Sequence, residues 1–163
     1  MDTLFNAPDA DLYLRSSDNV HFAIYRAIFR LISTVFEDML ALPQALDAGP
    51  PSDGLPHIDS INVDPTHVGV PIIQMFEDAD SLRLLLQFGY PRSVCDEPKL
   101  LAILDIKRAA TLAKKYDIGF LREKAENALL HYSGTSPALA FAVSWRFCYN
   151  ESLRAAARRS IDI

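Results

Sequence analysis

Six prolines and three glycines fall between Pro43 and Pro71. Each proline removes a backbone donor and fixes φ, and each glycine resists ordering. No helix or strand crosses a stretch of this kind. The fold must therefore be built from the segments on either side of it. Residues 43–70 read as a long, partly mobile surface loop, and loops of that length are either functional or disordered. Ile58 and Val63 are the residues expected to pin parts of it.

Before the loop, the hydrophobic period changes once. Leu12-Tyr13-Leu14 and Val20-His21-Phe22-Ala23-Ile24 carry strand patterning, and Ser16-Ser17-Asp18-Asn19 between them is turn chemistry. From Ala27 the period becomes helical. Ile28, Leu31 and Ile32 share one face, Ser33-Thr34 interrupts, and Val35, Phe36, Met39 and Leu40 form a second face. Thr34 and Glu37 have capping-box spacing. A hairpin followed by two short helices is the expected result.

Behind the loop, Val70–Met75 is a short strand candidate, which Pro71 places at an edge or a strand start. Asp80 is expected to cap a helix through Leu82, Leu85, Leu86 and Phe88 that stops near Gly89 and Pro91. Four more helices come after it. The first is capped by Asp96, with Leu101, Leu104, Ala109, Leu112 and Ala113 inward. The second restarts near Asp117 and carries Leu121, Ala125, Ala128 and Leu129. The third opens at Ser136-Pro137 with Leu139, Ala140, Val143 and Phe147. The fourth is capped by Asn150 and carries Leu153, Ala156, Ala157 and Ile161. Strands at the front and helices at the back predict an α+β fold, a small mixed sheet packed against a cluster of helices.

Composition narrows the function classes. A chain of 163 residues is long enough for one domain with a short appendage, and it buries about 70% of its unfolded surface without needing a disulfide or metal staple. The net charge of −5 argues against direct nucleic-acid binding, which draws on Lys and Arg. The two cysteines, Cys95 and Cys148, are not clustered and fit a reducing compartment. No signal peptide and no membrane span of about 18 apolar residues is visible. The expectation is an intracellular protein of cytoplasm or nucleus.

Signals for catalysis are weak. His21, His57, His67 and His131 sit in no nucleophile or metal motif, and the six glycines are scattered. His57, Asp59 and His67 form the one metal-like grouping, inside the loop, where polar residues need no special explanation. Glu77-Asp78-Ala79-Asp80 lacks the glycine and closing glutamate of a calcium hand and reads as an acidic helix start. The aromatic group Phe141, Trp145, Phe147 and Tyr149 reads mainly as core packing, with a hydrophobic partner site as the sharper alternative. No enzyme activity and no cofactor are expected. A small hydrolase or metal-binding protein using the histidine-containing loop is the remote alternative.

Five segments together resemble the BTB/POZ family. Ala10-Asp11-Leu12 resembles its opening strand. Phe22 to Phe29 is similar to its passage from second strand to first helix. Leu31 to Leu40 is similar to its Leu-x-Ser-x-x-Phe-x-x-Met pattern. Leu82 to Tyr90 resembles its Leu-x-x-Leu-Leu-x-Phe-x-Tyr stretch, and Ala110 to Asp117 resembles the helix ending in Lys-Tyr. The resemblance covers residues 9–132. Leu42-Pro43-Gln44 and the further helices are similar to BTB proteins of basidiomycete fungi. On that basis residues 1–132 are expected to form the BTB/POZ domain and 133–163 a C-terminal helical extension.

The sequence also departs from the family pattern. Tyr25 stands where the family usually has a histidine. Only about ten residues precede Asp11, so a homodimer, where one forms, is expected to lack the exchanged N-terminal strand. The resemblance implies an adaptor or scaffold whose partner is another BTB chain or a cullin of a ubiquitin ligase. Ala41 to Asp47 is not a clean match to the family's cullin-contact motif. Asp11 and Arg26 match the charged pair near the family's dimer groove. Met39, Leu42 and Tyr116 are the residues nominated for a partner face. A self-associating, transcription-associated scaffold is the alternative, with any DNA contact indirect because no zinc finger is present.

Overall fold

The structure, a computed structural model, describes residues 1–41 and 69–161. Among these, β1 (Leu12–Arg15) and β2 (His21–Ile24) precede the helices α1 (Arg26–Ile32) and α2 (Thr34–Ala41). Then come β3 (Ile72–Gln74), α3 (Ala79–Gly89), α4 (Ile103–Lys115), α5 (Gly119–Tyr132), α6 (Pro137–Phe147) and α7 (Asn150–Ile161). The protein is α+β, with a small mixed sheet against a helical cluster.

β1 and β2 pair antiparallel with Leu12 opposite Ile24 and Leu14 opposite Phe22, and all four of these side chains are fully buried. Side chains alternate across a strand, so this register sends one apolar set into the core. The turn uses its polar residues in the way their chemistry predicts. Asn19 takes φ 62°, and Ser16 Oγ accepts from the Val20 amide at 2.9 Å. β3 joins β1 in parallel, giving the order β2-β1-β3 with β3 at the edge.

The other side of the sheet is lined by the N-terminus. The Asp2 amide donates to the His21 carbonyl (2.7 Å) and the Ala23 amide to the Phe5 carbonyl (2.9 Å), so residues 2–6 run beside β2 within the same chain. Asp2 is the anchor. Its side chain is fully buried, one oxygen accepts from the Leu4 and Phe5 amides, and the other takes Arg83 Nε and Nη2 at 2.9 and 2.7 Å. Phe5 packs edge-on against Tyr90, with centroids 5.1 Å apart.

Helix caps differ from those expected because the donors find partners across the fold. Ser33, not Thr34, caps α2, with Oγ accepting from the Val35 amide at 3.0 Å. Glu37 turns instead to Arg30 at 2.8 Å. At α3 the cap is Asp78, which accepts from Ser81, and the hairpin-turn residue Asp18 accepts from Ala79. Asp80 is freed to pair with Arg83 and Arg108. Asp96 caps nothing. Neighbouring Glu97 is held by Arg92 and Lys124, the chain runs irregularly to Ala102, and α4 starts at Ile103.

Ala109, Leu112 and Ala113 are buried as their period indicates, joined by Ile106 and Ala110, but Leu101 precedes the helix and Leu104 lies one turn before Arg108, and both face outward at 75% and 55% exposure. Leu31 and Ile161, which helical periodicity places on inward faces, are exposed as well. α6 and α7 pack against α4 and α5, and Tyr149 joins the same hydrophobic core as the sheet residues.

This packing can be tested at two residues. A Cβ at Gly89 would overlap Cδ1 and Cγ1 of buried Ile32. Gly89→Ala should destabilise by about 1–3 kcal/mol, read by urea unfolding, with Ile32→Val recovering part of the loss. The second residue is Asp2. Burial pushes its carboxyl up, but the Phe5 amide, Arg83 and the Leu4 amide outweigh burial and hold it below the ordinary carboxylate value. A lowered folded-state value means that its stabilisation is present above the unfolded value, about 3.9, and is lost as pH falls through the folded one. Asp2→Asn should therefore cost about 1–3 kcal/mol at neutral pH, with the screened, partly exposed Arg83 side keeping it toward the lower end. The difference from the parent protein should shrink in acid unfolding as pH falls through the lowered folded-state value.

Candidate functional site

Among the described nominated residues, Arg26 and Met39 belong to the helical pair α1–α2, and Asp11 and Tyr116 touch it. Its hinge is Ser33, 7% exposed, whose hydroxyl donates to the Tyr116 carbonyl at 2.6 Å while accepting from Val35. One side chain thus closes the turn between the two helices and ties it to the end of α4. Beneath it, Phe36 stacks on Phe29 with centroids 4.1 Å apart and leans on Tyr116 at 4.5 Å. Such ring contacts add about 0.5–1.5 kcal/mol each beyond area burial.

Tyr116 is a strut under this surface. It is 7% exposed, and its hydroxyl donates to Glu77 Oε2 at 2.7 Å. The phenol is thus already bonded within the chain, and its ring lies against Phe36. Burial first, then the hydrogen bond to the Glu77 carboxylate, pushes the phenol far above its usual range. Lys115 also pairs with Glu77 and lies over the Phe76 ring at 5.2 Å. Phe76 itself is 87% exposed.

Asp11 and Arg26 are joined, but not as an ion pair. The Asp11 carboxylate accepts the Arg26 backbone amide at 2.6 Å, filling a free donor at the start of α1. The Arg26 guanidinium crosses to the Leu40 carbonyl at 2.6 Å, at the far end of α2. Arg26 therefore spans the helical pair, a role that charge matching in sequence does not show. Tyr25, in place of the expected histidine, donates its hydroxyl to Asp9 at 2.7 Å, and its amide donates to Tyr90 Oη at 3.0 Å. Met39 is half-buried on α2. Leu42, and the His57, Asp59 and His67 grouping, lie outside the described residues.

Beside exposed Arg30, Thr34, Glu37 and Asp38, the pair also presents two apolar residues outward. Leu31 is 86% exposed and Val35 38%. Sequence reasoning misses both as surface residues, since helical periodicity assigns them to the core. A second outward pair lies on α6, where Trp145 (69% exposed) stacks on Phe141 with centroids 6.4 Å apart. Phe147 and Tyr149 form a separate pair turned toward the core. The four aromatics are thus two pairs, not one cluster.

Among the described residues, no three His, Cys, Asp or Glu side chains come together as a metal site, and no helix is long and apolar enough to cross a membrane. No protein-family model matches this sequence, and no curated protein matches it.

The Tyr116–Glu77 bond has a measurable consequence. Tyr116→Phe should destabilise by about 1–3 kcal/mol, because Glu77 loses a hydrogen bond to its charged form. A raised folded-state value means that the phenol's contribution is complete below the unfolded value, about 10, and is lost as pH rises toward the folded one. The parent and Tyr116→Phe proteins should therefore converge in stability under alkaline conditions, as followed by thermal melts from neutral pH upward.

Proposed function

We propose that this chain is a protein–protein interaction module of the BTB/POZ kind, an adaptor that works through its surface and not through a reactive pocket. The observation carrying this reading is the braced helical pair α1–α2. Three separate ties hold it: Ser33 to Tyr116, Arg26 to Leu40, and the stack of Phe29 on Phe36. Yet it leaves Leu31 almost wholly in water. A rigid element with an outward leucine is suited to association, because its partner contact has little ordering left to offset. Burying Leu31 fully is worth about 1.5–3 kcal/mol.

The hairpin, helical pair and parallel edge strand, in that chain order, support the family resemblance carried by Asp11–Leu12, Ser33–Phe36 and Leu82–Tyr90. Residues 2–6 already occupy the edge of β2 within their own chain. This favours a dimer, where one forms, that meets through helices and not through exchanged N-terminal strands. A cullin N-terminal domain is the specific partner proposed for the α2 end, through Met39 and Leu42.

Calorimetry with a cullin N-terminal domain should give heat that Met39→Asp weakens; no heat at high micromolar concentration removes the ligase version. Light scattering across a concentration series should show self-association, with Leu31→Asp weakening it about thirtyfold, the scale of one interface hot spot. A protein that stays monomeric at every concentration and gives no heat would sink the adaptor reading altogether.

A further inference from the structure

The sheet has two outer edges, and the chain treats them differently. Along β2, the N-terminal segment bonds to the His21 carbonyl and the Ala23 amide. Along β3, β1 is the one strand neighbour among the described residues. Hydrogen bonds fix which way the β3 backbone faces. The Pro71 carbonyl accepts from the Tyr13 amide at 3.0 Å, and the Met75 amide donates to the Arg15 carbonyl at 2.8 Å. Backbone groups of successive residues turn to opposite sides of a strand. Pro71, Ile73 and Met75 therefore address β1, while the amides and carbonyls of Ile72 and Gln74 point away from the sheet. No hydrogen bond to those outward groups occurs among the described residues. Gln74 is exposed and Ile72 half-buried.

Edge strands are ordinarily blunted by charge, by proline or by a bulge. Val70-Pro71-Ile72-Ile73-Gln74-Met75 carries no charge. Its proline has the inward parity, so the donor it lacks is one that would have faced β1, and the outer row of donors and acceptors is intact. The row is also held in place. Ile73 and Met75 are buried beneath it, and Gln74 Nε2 donates to the Arg15, Ser16 and Met75 carbonyls at 3.0–3.2 Å. An edge already fixed in strand geometry loses little freedom when another strand joins it.

We infer that the outer edge of β3 receives a short extended segment of a partner protein as a fourth strand. Donors and acceptors alternating at strand spacing are complementary to another extended backbone. The length of the edge selects between a partner segment and a second copy. Three residues span only about 10 Å, and two copies meeting along such an edge would bury far less than the ~800 Å² per partner of a stable interface. A narrow strand from a partner suits it, weak alone and strengthened where the same partner also meets a second surface. Side chains alternate across β3, so Ile72 lies on the face opposite buried Ile73. The incoming strand should place an apolar or β-branched residue beside Ile72, about 4.5–5.5 Å away. The edge is separate from the α1–α2 surface, and either stands or falls without the other.

The test selects a displayed library of random seven-residue peptides on the full chain, then measures fluorescein-labelled copies of the enriched peptides by polarisation. Enriched peptides should be rich in β-branched residues, and hydrogen exchange should show the Ile72 and Gln74 amides slowed on binding. Ile72→Pro removes an outward amide and none that faces β1, a position where an edge strand tolerates proline. It should weaken peptide binding at least tenfold, about 1.4 kcal/mol, and leave the thermal melt unchanged. Methylating the peptide's own amides one at a time gives a second readout that needs no variant: binding should be lost at every other residue and kept at those between. Three results would overturn the proposal: no enriched peptide, peptides that bind Ile72→Pro equally well or protect other amides, or an Ile72→Pro change that abolishes self-association and so assigns the edge to a second copy.

Discussion

The Ser33 hydroxyl stands between two parts of the molecule that the chain separates by more than half its length. It donates to Tyr116 at the end of α4 and accepts from Val35 at the start of α2. Both groups belong to chain ends that a helix leaves without partners, and burying either unpaired would cost about 1–3 kcal/mol. Because one hydroxyl serves both, the α1–α2 turn can lie buried against the helical cluster. The position of every outward residue on that pair, Leu31 above all, is set by this junction. Tyr116 then extends the link, through Glu77, to the segment joining β3 to α3.

A second chain of contacts runs along the other side. Asp18 in the hairpin turn caps α3, Arg83 on α3 holds Asp2, and Asp2 holds the N-terminal segment against β2. Sheet, helix and N-terminus are thus connected through three charged groups at the helix start. Asp80, displaced from the cap, gathers Arg83 and Arg108 into the same network. Exposed members of such a network add little individually; the buried Asp2 carboxylate carries most of the energetic weight.

Much of the architecture is readable from residues alone because it rests on local periods. The alternation of Val20–Ile24, the turn at Ser16–Asn19, Pro71 at a strand start and Pro137 at a helix start all act within a few residues. The features that sequence does not reveal depend on partners distant along the chain. Ser33 caps α2 because Tyr116 is beside it, and Asp78 caps α3 because Asp18 fills the preceding amide. Asp2 bonds the nearby Leu4 and Phe5 amides, but the ion pair that anchors it is with position 83. The inward face of α4 at Ala109, Leu112 and Ala113 is the one its period marks, but the helix begins only at Ile103, and Leu101 and Leu104 lie outward. Of the nominated site residues, Arg26 lies where the helical pair needs it, but its contact is a backbone carbonyl, which no side-chain pattern encodes.

The adaptor account places association on residues Arg26–Ala41, and hydrogen–deuterium exchange on dilute and concentrated protein tests that placement most directly. Amides of α1 and α2 should gain protection as the concentration rises, while those of α6 and α7 keep the same exchange at both. Protection that appears first on α6, around the exposed Trp145, or that changes nowhere across the chain, would contradict the account.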